Sequence, residues 1–149
     1  MKRHVHLLLL VFASVLGLHA QSPVASYTFS GNAKDGTSFS NHAAVNGATL
    51  ASDRFGWANS AFSFDGIQGA ITAPNSSQMN SPTTTISFWV NVRSLPAQGE
   101  AYILSHGGWQ ERWKISLPPH GKPVFTTHAT SCCNDMDSGD GNELKVNEW

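Results

Sequence analysis

The sequence predicts an all-β protein, an antiparallel β-sandwich, on three observations. Apolar and polar residues alternate with a period of two in a series of short runs, the signature of half-buried strands. Glycine, proline, asparagine, serine and aspartate punctuate those runs. Outside the N-terminus, no stretch carries an apolar stripe at the 3.6-residue helical period, and runs of lysine, glutamate and leucine are missing. Composition excludes other classes. Charged residues make up 13% of the 149, against about 25% in an average soluble domain. The formal net charge is −1, so neither a nucleic-acid footprint nor a polybasic membrane patch is present. Low charge without acidic runs also argues against a disordered chain.

Residues 1–20 read as a secretory signal peptide. Lys2 and Arg3 supply the positive start, and Leu7 to Leu18 is an apolar run of twelve, within the usual range of about 7–15. It is short of the roughly 20 residues that span a bilayer. Ala20 is the small residue at the cut. The expectation is a secreted chain, extracellular or at a cell surface, without a membrane span once the leader is removed. Losing Lys2 and Arg3 takes the formal charge from −1 to −3. Metal or catalytic arguments then rest on His42, His106, His120 and His128, which show no zinc-like spacing.

The strands follow in order over residues 21–149, taken as one domain. In Val24–Phe29, Ala25, Tyr27 and Phe29 share a face; Ala61–Asp65 repeats the pattern with Phe62 and Phe64. Thr83–Val92 is the clearest run, with Ile86, Phe88, Val90 and Val92 on one side and Thr85, Ser87, Trp89 and Asn91 on the other. Ala101–Ser105, Trp113–Leu117 and Val124–Thr127 are shorter. Residues 31–47 read as loop, Asp65-Gly66 as a turn, and Pro118–Pro123 as the connection of a hairpin. Residues 131–142, the longest polar stretch, read as loop.

Several of these segments, in this order and spacing, resemble the laminin-G-like jelly-roll domains of the concanavalin A-like lectin/glucanase superfamily. The matching pieces are residues 25–35 (ASYTFSGNAKD), 47–50 (GATL), 53–66 (DRFGWANSAFSFDG), 85–90 (TISFWV) and 103–105 (ILS). The resemblance implies a jelly roll. About seven strands are readable, fewer than that family's sandwich carries, so the expectation is the N-terminal portion of an incomplete one. It also implies a secreted, non-catalytic recognition module for carbohydrate or extracellular polymer, with a structural calcium ion. Two alternatives stand beside it. One is the leading part of a glycoside hydrolase or lyase whose acids lie beyond Trp149; the other is an adhesive segment of a surface protein. The superfamily's glucanase strand motif, Glu-x-Asp-x-x-Glu, is absent, and no catalytic residues are assigned.

The site residues come from side-chain chemistry. Calcium takes six to eight oxygens from carboxylates, amides and carbonyls, and the candidates are Asp35 in the first loop and Asp135, Asp137 and Asp140 in the second. The bland reading of Asp35 is a turn-initiating residue bonded to its own backbone. That of the second cluster is a solvated hairpin tip. Sugar binding uses an aromatic platform. Trp57, Trp89, Trp109 and Trp113 are the aromatic candidates; Trp109, in a loop-like Gly-Gly-Trp-Gln context, and Trp89, out of phase with its strand's apolar face, are taken as ligand-binding, and Trp113 reads as core. Cys132 and Cys133 are adjacent and the only cysteines. In an exported protein they are expected to oxidise. Neighbouring Cα atoms, about 3.8 Å apart, allow only a strained vicinal ring, and pairing with another chain or a missing segment stays open.

Overall fold

The computed structural model describes residues 22–107, 112–128 and 133–149. The segment 1–20, expected to be a leader, and the candidates Trp109 and Cys132 lie outside the described residues. The described chain is nearly all β, with a single 3-10 turn at Ser77–Asn80. No helix among these residues is long and apolar enough to cross a membrane. The chain divides into two compact units.

The first unit contains the described part of Met1–Asp53 together with Trp57–Phe64 and Gly69–Pro82. Its strands are β1 (Ala44–Asn46), β2 (Thr49–Ala51), β3 (Ala61–Ser63) and β4 (Ala70–Thr72). They form two antiparallel pairs, β1 with β4 and β2 with β3. The loop expected over residues 31–47 therefore closes on a strand, β1. The run Val24–Phe29 belongs to no ladder. Its predicted face is real all the same: Tyr27 stacks on Phe29 with centroids 6.0 Å apart, and Phe29 meets Phe62 edge-on at 5.4 Å. Phe29 adopts a left-handed φ of 57°, which costs a non-glycine residue about 1–2 kcal/mol. Its two ring contacts offset that cost.

The second unit comprises Arg54–Gly56, Asp65–Gln68 and Thr83–Trp149. It holds an antiparallel meander of β5 (Ala101–His106), β6 (Trp113–Leu117), β7 (Val124–His128) and β8 (Cys133–Asp137). Pro118–Pro123 joins β6 to β7 as the sequence implies. Within it Gly121 sits at a left-handed φ of 80°, which glycine adopts without strain. Residues 131–142 were expected to be loop, yet the stretch supplies β8, because Phe125 and Thr127 offer it a free ladder edge opposite Met136 and Asn134. Conversely, Thr83–Val92, the clearest strand of the sequence, forms no ladder beyond a bridge from Val92 to Val146. Alternation specifies two faces; a strand also needs a neighbour to pair with.

Cross-strand register gives this sheet two unlike faces. Leu104, Ile115, Phe125 and Met136 align in one row across all four strands. Beside them Phe88 and Pro123 help line a shallow, open apolar depression of about 360 Å³. The opposite face carries Ser105, Lys114, Thr126 and Asp135 in one row, with Tyr102, Ser116, Val124 and Asp137 in the next. A register shift between Tyr102 and Leu104 accommodates an extra residue in β5.

Candidate functional site

Trp89 is the candidate platform that the described residues contain, and it is 64% exposed. Its strand neighbours explain this: Ile86 and Val90 turn their side chains into half-buried positions, and Trp89, out of phase with them, turns out. The Arg54 guanidinium lies over the Trp89 ring, 4.2 Å from its centroid, and over the Phe55 ring at 4.4 Å. All three residues belong to the second unit. A guanidinium is held over an aromatic face by the ring quadrupole, with a contribution of about 0.5–1 kcal/mol at exposed sites. With one indole face beneath Arg54, the high exposure leaves the other open to a flat apolar surface, such as the C–H face of a pyranose ring. Sequence reading missed Arg54 and Phe55. The available signal was a cation beside an aromatic residue, in a segment noted only for its family pattern.

A second polar cluster was not foreseen. Lys114 and Ser116 alternate with apolar neighbours and so read as solvent-facing, yet they are 6% and 0% exposed. Glu100, just before β5, explains the difference. Its carboxylate pairs with the Lys114 ammonium and accepts a 2.6 Å hydrogen bond from the Ser116 hydroxyl. The Tyr102 ring lies 4.6 Å from the Lys114 ammonium. Hydrogen bonds from Lys114 and Ser116 hold the Glu100 carboxyl below the usual carboxylate range. Burial alone would lower the Lys114 pKa; the Glu100 carboxylate outweighs it, and the net shift is upward. Each charge is matched, and the fully buried Ser116 hydroxyl is inaccessible to a substrate. The arrangement is a clamp between β5 and β6.

The four proposed calcium ligands are placed separately. Asp35, 5% exposed, accepts hydrogen bonds from the backbone N–H groups of Ser26 and Thr37 at Oδ1. At Oδ2 it accepts from the Thr37 hydroxyl and the Asn41 N–H. All four distances are 2.8–2.9 Å. Burial raises its pKa, but these donors prevail and bring it to about 2. Thr126 donates to Asp135 at 2.6 Å, the Gly139 N–H donates to Asp137 at 2.9 Å, and Asp140 pairs with Lys122. Among the described residues no three His, Cys, Asp or Glu side chains gather where one ion would sit. Each of the four carboxylates is engaged by a donor of the protein itself. Asp65 is a turn residue, its Oδ1 accepting from the Ile67 and Gln68 N–H groups. Cys133 opens β8 opposite His128; the vicinal pairing rests on Cys132, outside the described residues. Trp113 packs against Phe125 and His106 on the apolar side of the sheet.

Comparison with protein-family models, curated proteins and solved structures returns no match. The geometry and chemistry of these residues are therefore what any functional reading rests on.

Proposed function

We propose that this chain is an exported, non-catalytic module of jelly-roll type that binds carbohydrate. The observation that carries the proposal is the outward-facing Trp89, held in place by Arg54. A pyranose offers an exposed indole an apolar C–H face with hydroxyls at the rim. The resemblance to laminin-G-like domains supports the same reading at the level of the fold.

Fluorescence titration of the full chain against neutral and charged oligosaccharides tests this, because five tryptophans report on stacking. Saturable quenching is expected, and Trp89→Ala should weaken binding about tenfold, the equivalent of one good aromatic contact. Trp57→Ala, at an equally exposed position of the first unit, should leave it unchanged. Running the titration with calcium and with chelator checks the cofactor that the resemblance implies. Absence of saturation with every sugar would overturn the proposal.

A further inference from the structure

The Arg54 side chain says more about the ligand than the indole does. We infer that the Arg54–Phe55–Trp89 cluster recognises an acidic saccharide, with the guanidinium edge binding a carboxylate or sulfate while Trp89 stacks on the ring that bears it. The inference rests on the carbohydrate reading above and narrows it to one class of ligand.

Three observations lead there. The first is the geometry of the cation: the Arg54 guanidinium carbon lies 4.4 Å and 4.2 Å from the Phe55 and Trp89 ring centroids. Stacking occupies the flat face of a guanidinium and leaves its N–H donors pointing along the edge, in the fork that matches a carboxylate or sulfate oxygen pair. The second is the lack of an internal partner. Among the described residues Glu100, Asp140, Glu143 and Glu148 pair with Lys114, Lys122, Lys122 and Lys145. Among the described residues no carboxylate pairs with Arg54 and no side-chain hydrogen bond engages it. The third is the charge of the whole. The chain carries a formal −1, so a diffuse field does not draw in a polyanion. An ordered, stacked arginine is then the element that would select one at close range.

The stacked rings also fix the side chain before the ligand arrives. A free arginine loses rotamer entropy when it is immobilised. Part of that loss is met in the unbound protein.

The experiment is calorimetric titration of the full chain with three probes of matched length: cellotetraose, tetragalacturonate and a sulfated galactan tetrasaccharide. The expected result is that at least one acidic probe binds tenfold or more tightly than cellotetraose, and that the preference shrinks as salt rises. Arg54→Gln should weaken the acidic probe by more than it weakens cellotetraose, bringing the ratio of their affinities close to one. Arg54→Lys, which keeps the charge and loses the fork, should retain only part of it. Whether tetragalacturonate or the sulfated probe shows the larger gain identifies carboxylate or sulfate as the anion. Equal affinity for neutral and acidic probes, with Trp89→Ala still weakening both, overturns this inference and leaves carbohydrate binding intact. The same holds if an acid preference survives Arg54→Gln. Absence of binding to all three overturns both. Near-UV circular dichroism of each variant, matched to the unsubstituted chain, shows that any loss is not a folding defect.

Discussion

Each unit is organised by one acidic side chain, and the two achieve it by opposite means. In the first, Asp35 is satisfied by the backbone. Its oxygens gather N–H groups from residues 26, 37 and 41, tying an extended segment, a turn and the approach to β1 around one carboxylate. The Tyr27 hydroxyl closes the same knot on the Asn41 carbonyl at 2.6 Å, and the Asp35 N–H donates to His42 Nδ1. In the second, Glu100 is satisfied by side chains, the ammonium of Lys114 and the hydroxyl of Ser116. A backbone cradle positions loops that have few ladder bonds of their own. A side-chain pair clamps strands that already have them. The first unit should therefore depend more heavily on its acid than the second.

The largest effect expected is at Asp35. Asp35→Ala leaves three N–H groups and a hydroxyl without their acceptor, and hydrogen bonds to a charged group contribute about 1.5–3 kcal/mol each, with solvent recovering part of the loss. A net destabilisation of about 4 kcal/mol is expected, read by denaturant unfolding. Hydrogen exchange should show the loss at the Ser26, Thr37 and Asn41 amides before it reaches β6 and β7. Uniform loss of protection would break the comparison, since it would make the two units one cooperative structure.

Next in size is the Glu100–Lys114 pair. Glu100→Gln leaves a buried ammonium without its counter-charge, an error that costs about 3 kcal/mol. Replacing both partners, Glu100→Gln with Lys114→Met, should recover most of that. A matched pair and an apolar substitute of similar volume are close in stability, whereas a half-pair is not. The double-mutant cycle is measured by urea unfolding. Additive losses would mean that the pair is not a clamp.

How much of this was legible in the sequence differs between the units for the same reason. Alternation reported faces faithfully: Tyr27, Phe29 and Phe62 do meet, and Trp113, Ile115 and Leu117 do share a side of β6. It did not report partners. Thr85–Val92 carries the clearest alternation and finds no ladder, while Cys133–Asp137, polar at three of five positions, becomes a strand because β7 has a free edge. Asp35 was legible as a turn residue through its Thr37 contact; its reach to Ser26 and Asn41 was not, since those bonds depend on where the chain returns. Lys114 misled for a related reason. A lysine between two apolar residues reads as solvated unless a carboxylate fourteen positions away folds over it. Arg54 was passed over because cation–ring stacking depends on Trp89, distant in sequence and brought near only by the fold.

The smallest effect expected is also the one that most directly separates the two acids, because it needs no structural damage. The Asp35 carboxyl titrates at about 2 when folded and at about 3.9 in an unfolded chain. A depressed acid contributes stability that is fully present above the unfolded value and lost as pH falls through the folded one. Asp35 should thus contribute about 2.5 kcal/mol at neutral pH and lose it between about pH 4 and pH 2. Glu100, also depressed, adds to the same acid limb. The substitutions tell them apart. In Asp35→Asn the unfolding free energy should fall less steeply below pH 4 when followed by a probe in the first unit. In Glu100→Gln that limb should keep its slope in the first unit and flatten only in the second. Amide exchange resolved by residue supplies both readouts. If Glu100→Gln flattened the acid limb at the Ser26 and Asn41 amides as well, the backbone cradle would not be what holds the Asp35 proton off, and the contrast between the two acids would fail.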